Sequence, residues 1–150
     1  MKIKFLILSI LSFAALYSCS NKMNVSSKNN LPGSVITEKY WKLTKLQGKD
    51  VKMEKNQERD VYFTLKNTDN KLVGFAGCNN FGGTYKFGTG NKLRFNELFS
   101  TLKDCPDVKF KESDFINVFK QADNFIINID TLTLNVGKRT PLATFEAVYF

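Results

Sequence analysis

Beyond residue 39 the chain is written largely in alternation. Trp41 and Leu43 share one side of a short run, and Val61, Phe63 and Leu65 share one side of another. A period of two is the signature of a half-buried strand. The polar stretch from Gln47 to Asp60 reads as the surface loop between them. Asn67-Thr68-Asp69-Asn70 is a turn, from which Leu72–Ala76 returns as the second arm of a hairpin. Thr84–Phe87 and Leu93–Asn96 flank Gly88-Thr89-Gly90-Asn91, a further hairpin signal. Residues 98 to 107 are less regular, and then the period changes. Phe115, Val118, Phe119 and Ala122 fall on one helical stripe, which predicts an amphipathic helix over about Val108 to Ala122. Alternation resumes in Phe125/Ile127/Ile129, in Leu132/Leu134/Val136 and in Ala143/Phe145/Ala147/Tyr149. About seven strands and one amphipathic helix predict an α+β domain, a curved antiparallel sheet or open barrel with the helix packed on it.

The N-terminal segment follows a different rule. Lys2 and Lys4 precede the apolar stretch Phe5 to Tyr17, which ends at small Ser18 and gives way to polar Ser20-Asn21-Lys22. Residues 1–18 therefore read as a secretory signal peptide, too short in its apolar part for a membrane span of about twenty residues. Leu16-Tyr17-Ser18-Cys19 resembles the bacterial lipobox, which implies cleavage before Cys19 and acylation of that cysteine. The plainer reading is secretion with no lipid attached. Several acyl chains on one residue anchor a protein stably, at about 0.8 kcal/mol per buried methylene. Residues 19–36 then form the lipidated terminus and a linker. Its stretch from Ser20 to Ser34 is too polar to offset its ordering entropy and is expected to reach roughly 20 Å as a coil. Residues 37–150 remain as the folded domain, enough for a single core.

Composition narrows the chemistry. The chain has 22 basic and 14 acidic residues. Removing Lys2 and Lys4 leaves a surplus of +6, spread along the sequence without the aromatic interleaving of a nucleic-acid module. Nucleic acid is therefore not expected as a partner. The chain contains no histidine, which excludes Ser-His-Asp and Cys-His catalysis and the usual histidine-containing zinc sites. Ser100-Thr101-Leu102-Lys103 matches the Ser-x-x-Lys of penicillin-binding enzymes, but the accompanying Ser-Asp-Asn and Lys-Thr-Gly elements are missing. Asp104, Asp107, Glu112 and Asp114 cluster at the predicted helix start. There negative charge meets the positive end of the helix dipole and Asp107 can cap, so no metal site is assigned.

Cys78 and Cys105 are the pair left once Cys19 is acylated. In an oxidising envelope such a pair is expected to bond, constraining the unfolded chain by about 3–4 kcal/mol; two buried free thiols are the alternative. Cys78 sits in Gly77-Cys78-Asn79-Asn80-Phe81-Gly82-Gly83-Thr84-Tyr85. The glycines lack the spacing and the following helix of a phosphate-binding loop and are expected to serve backbone geometry at a corner.

An ordered set of residues carries a resemblance. Trp41-x-Leu43, then Gly77-Cys78-Asn79, Gly83 and Tyr85, Thr101 ahead of Cys105, the Glu-x-x-Phe of Glu112 and Phe115, and Leu132-Thr133-Leu134 together resemble the META domain family, which includes the heat-shock protein HslJ. The resemblance covers roughly Thr37 to Phe150. It implies one α+β domain with a barrel-like antiparallel sheet, common among envelope lipoproteins and linked to stress and antibiotic tolerance, with no established catalytic activity. Together these readings lead to the expectation of a monomeric, non-enzymatic protein without cofactor, anchored in the cell envelope through acyl chains on Cys19. Such a protein would bind or support another envelope component. The alternative is a carrier that holds a lipid or small apolar ligand in a barrel cavity, suggested by the many aromatic residues of the mature chain.

Overall fold

The computed structural model describes residues 35–139 and 141–150. The signal peptide, Cys19 and nearly all of the linker lie outside them. Nine strands form one antiparallel sheet: β1 (Tyr40–Leu46), β2 (Lys49–Asp50), β3 (Tyr62–Lys66), β4 (Lys71–Phe75), β5 (Asn80–Phe87), β6 (Leu93–Ser100), β7 (Asn124–Asn128), β8 (Thr131–Asn135) and β9 (Ala143–Val148). The main path runs β6-β5-β4-β3-β1-β9-β8-β7, with β2 appended to β1. Helix α1 (Glu112–Gln121) lies between β6 and β7 in sequence. The α+β reading of a strongly curved antiparallel sheet with one packed helix is the observed architecture.

Two devices curl the sheet. On β6, Glu97 and Leu98 together oppose Gly83, because Gly82 pairs with Phe99 and Thr84 with Asn96. On β1, Thr44 is the extra residue between the Leu43–Phe145 and Lys45–Thr144 pairs. Each is a β-bulge, which bends its strand and increases local twist. The bulge on β6 needs a glycine opposite it, since a Cβ on Gly83 would stand 2.6 Å from the Asn96 carbonyl oxygen. The curl brings the sheet's edges together at one point. Lys92 and Asn124 form a bridge, with Leu93 N–H donating to Asp123 O at 3.2 Å and Phe125 N–H to Asn91 O at 3.0 Å. Beyond that seam the edges part, and α1 packs against β6.

The inner face is filled by the alternating residues. Trp41, Phe63, Leu65, Leu72, Leu132, Leu134 and Phe145 are buried there, and α1 contributes Phe115, Val118 and Phe119. Phe119 meets Phe63, Phe81 and Phe95 at centroid distances of 5.3, 5.0 and 5.0 Å. One helical ring thus touches β3, β5 and β6, in the edge-on and tilted arrangements that aromatic quadrupoles favour. The space in which an apolar ligand was expected is occupied by these rings.

Several local expectations need correction. The helix begins at Glu112, four residues later than the pattern suggested, because Cys105–Lys111 is committed to the disulfide connection and a Val108 N–H to Cys105 O turn. Lys111 is the N-cap residue and makes no side-chain cap, so Asp107 does not cap. The loop after β1 contains β2, turned back by Gln47 and Gly48 at φ 50° and 80°. Residues 80–83 are strand rather than corner; Gly82 is needed because Phe99 lies over it, its Cζ 2.8 Å from where a Cβ would be. Ile36, which the sequence places last in the linker, is buried and accepts a hydrogen bond from Trp41 Nε1 at 2.8 Å.

Two outcomes follow from this packing. Phe119→Ala removes the ring that joins three strands and is expected to cost about 3–5 kcal/mol of unfolding free energy in urea titration. On the outer face Tyr40 stacks on Tyr62 at 4.0 Å, and burial, followed by the neighbouring Tyr62 and Asp60, pushes its phenol up to about 12. A raised folded pKa means the fold holds that proton more tightly. The stability it contributes is complete below the ordinary value of 10.0 and disappears as pH climbs from there to about 12. Tyr40→Phe should therefore show a shallower fall in thermal midpoint than the parent across that window.

Candidate functional site

The sequence motif separates into two groups in space. Trp41, Leu43, Tyr85 and Phe115 are buried members of the core. The Tyr85 hydroxyl reaches out of it to donate to Lys66 O at 3.2 Å, and burial raises its pKa. Gly83 faces the bulge. The other members, Gly77, Cys78, Asn79, Thr101, Cys105 and Glu112, converge on the corner between β4 and β5.

Backbone shape places them there. Gly77 takes φ 108°, a left-handed conformation that side chains disfavour, and a Cβ on it would also press to 3.0 Å from the Phe110 ring. The turn it makes directs the next two amides toward the start of α1. Cys78 and Asn79 N–H both donate to Glu112 Oε1, at 2.8 and 2.5 Å. Asn79 Nδ2 donates to Glu112 Oε2 at 2.7 Å and to Lys103 O at 3.2 Å. Asn79 Oδ1 accepts from Thr101 Oγ1 at 2.8 Å and from Lys103 N–H at 2.6 Å. The buried Asn79 amide therefore uses both its donor hydrogens and its acceptor, and both Glu112 oxygens are engaged. The Cys78–Cys105 disulfide, with a Cα separation of 6.1 Å inside the ordinary range, ties the far side of the same corner.

Chemically this is a brace. The side-chain polar atoms of Asn79 and Glu112 are consumed internally, while the buried Gln57 Nε2 beside Gly77 has no partner. Glu112, expected at the helix dipole and within the structural motif, sits in the first turn of α1 and is also the acceptor that joins helix to sheet. The signal was present in Glu-x-x-Phe, but nothing local announces donors 33 and 34 positions away. Ser100 and Lys103 form no catalytic pair, since Lys103 Nζ lies 3.0 Å from Glu58 Oε1. Among the described residues no cluster of side chains could hold a metal ion, and no helix is long and apolar enough to cross a membrane.

Clefts on the surface include three that differ in their relation to this frame. One of about 250 Å³ lies beside the disulfide, lined by Asn56, Glu58, Gly77, Lys103 and Asp104 among others. A second, of about 520 Å³, opens along the seam between Lys86, Phe87, Lys92, Arg94 and Asp123. There the Gly137 amide and the Asn124 side chain hold the Asp123 carboxyl below its ordinary pKa. A third groove, of about 590 Å³, runs between Thr37–Tyr40, Lys66 and Val148–Phe150.

The brace is testable by coupling. Glu112→Gln replaces an acceptor oxygen by a donor against an existing donor and is expected to cost about 1–3 kcal/mol. Asn79→Ala should cost at least as much, and the double variant should fall short of the sum by about 0.5–3 kcal/mol in a urea-unfolding cycle, as for partners in one network.

No curated protein matches the sequence. Two solved structures superpose well. An NMR structure of a protein from Burkholderia xenovorans has a TM-score of 0.61 at 21% identity, covering 77% of this chain and 85% of that one. A second NMR structure has a TM-score of 0.58 at 22% identity, covering 77% and 92%. At such identity the likeness concerns the fold. The family model of the META domain matches residues 34–149, the whole of the braced sheet and its helix. The chain belongs to the META domain family.

Proposed function

We propose that this META domain protein is a lipid-anchored, non-enzymatic component of the cell envelope, acting by binding or supporting another envelope component, with stress as the condition under which that support matters. The observation that carries the reading is the saturated corner. The most polar buried constellation of the fold spends its hydrogen bonds on holding α1 to the sheet. The absence of histidine from the whole sequence removes the commonest general base. The anchor rests on Leu16-Tyr17-Ser18-Cys19, which lies outside the described residues. An apolar-ligand carrier is the weaker reading, because Phe63, Phe81, Phe115, Phe119 and Phe145 pack ring against ring where such a ligand would sit.

In fractionated cells the parent protein should sediment with membranes and carry the mass of an acylated Cys19, while Cys19→Ser should leave the membrane fraction. An unmodified Cys19 in the parent would refute the anchor. Crosslinking in intact cells should then capture one reproducible envelope protein. Recovery of a stoichiometric apolar molecule by native mass spectrometry, with no protein partner, would instead favour the carrier.

A further inference from the structure

Two of the large apolar side chains left in solvent, Tyr149 and Phe150, line the third groove, and Ile129 lies next to Asp130, the acceptor of the Tyr149 hydroxyl. Phe150 is fully exposed, Ile129 is 84% exposed and Tyr149 is 66% exposed. The fold brings them together from distant parts of the chain. The Phe150 ring meets Tyr40 edge-on at 5.4 Å. The Tyr149 hydroxyl donates to the carboxylate of Asp130, the residue after Ile129. Ala147 N–H donates to Asp130 O at 2.8 Å, which fixes the β7–β8 turn beside the end of β9. Lys39 holds its ammonium 5.8 Å from the Tyr149 ring. Rings with a polar tip beside a lysine, with bare apolar side chains next to them, are the composition that settles at a membrane–water interface.

What covers this surface is indicated by where the rest of the chain joins it. Thr37 and Glu38 line the groove together with Tyr149 and Phe150, and the described residues begin two positions before Thr37, at Val35. The segment from Cys19 to Val35 spans at most about 55 Å even when fully extended. An acylated Cys19 therefore makes this end of the domain the one attached to the bilayer, within the reach of that segment. Lysine at the surface adds attraction to anionic lipid.

We infer that the groove end of the sheet lies against the lipid bilayer, with Phe150, Tyr149 and Ile129 at the boundary of headgroups and acyl chains and Lys39 at the phosphates. The inference rests on the acylation of Cys19 proposed above. It gives the domain one orientation. The disulfide corner follows Phe75, at the far end of β4 from the Lys71–Lys66 pair beside the groove, so it points away from the membrane.

The test uses the full mature protein in vesicles of phosphatidylethanolamine and phosphatidylglycerol doped with dibrominated phosphatidylcholine, a short-range quencher of tryptophan. Trp41 is buried and serves as a constant background. Tryptophan is introduced at Phe150→Trp and, separately, at Phe99→Trp. Phe99 is 65% exposed on β6, separated from β1 by β3, β4 and β5. Phe150 is fully exposed and Phe99 lies over Gly82, so circular dichroism and a thermal melt confirm that each variant keeps the parent fold before quenching is compared. The expected result is a blue-shifted emission from the Phe150→Trp protein, quenched severalfold more than that of the Phe99→Trp protein. Intact mass is measured on the same samples. A missing acyl mass overturns the anchor and this inference together. An acylated protein quenched equally at both positions, or more at Phe99→Trp, overturns the orientation and leaves the anchor standing. A blue shift at Phe150→Trp that appears without lipid and grows with protein concentration means that a second copy covers the groove, and it too overturns the inference.

Discussion

The carboxylate of Glu112 sets the position of nearly everything else. The turn at Gly77 presents the Cys78 and Asn79 amides and the Asn79 side-chain amide to the two Glu112 oxygens. Satisfying them fixes the first turn of α1 against the end of the β4–β5 connection. Phe115 and Phe119 follow one and two turns later on the same side of the helix, so fixing Glu112 also fixes how deep those rings enter the sheet. The disulfide holds the segment after β6, Thr101–Cys105, against the same corner. Helix, corner and return loop become one rigid unit because each supplies the hydrogen-bonding partners that another lacks.

That unit is needed because the sheet does not close on itself. Bulges at Thr44 and at Glu97–Leu98 curl it until the edges touch at Lys92 and Asn124, and past that seam the edge strands diverge. An open edge exposes unpaired backbone groups and invites pairing with other chains. Helix α1 packs against β6 there and fills the interior with aromatic rings. A sheet curled this tightly, with five or more phenylalanines converging inside it, is a packed core and not a container.

With the interior filled and the corner saturated, what distinguishes one part of the exterior from another is charge and exposed apolar area. Opposite ends of the sheet differ in kind: one is tied by a disulfide and a network of polar side chains, the other carries exposed rings and the entry of the chain. A domain with two such ends presents two chemically different surfaces.

The alternation of apolar residues by itself determined the antiparallel strands, the single helical stripe and the α+β class, because inward-facing positions must be apolar whichever strand lies next door. Past residue 19 only Cys78 and Cys105 remain, which made theirs the bond to expect in an oxidising envelope, while two free thiols fitted the composition as well. Tertiary structure decided the rest. The extra residue in a bulge, as at Glu97–Leu98, is defined only by the strand opposite. Gly82 and Gly83 read as a turn until Phe99 and Asn96 are seen to occupy the space a side chain would need. Glu112 looks like any acidic residue at a helix start, and its acceptor role exists only because the fold carries the amides of Cys78 and Asn79 to it. Local sequence encodes which way a side chain must face, whereas hydrogen-bond partners far apart in the chain are chosen by the path the backbone takes between them.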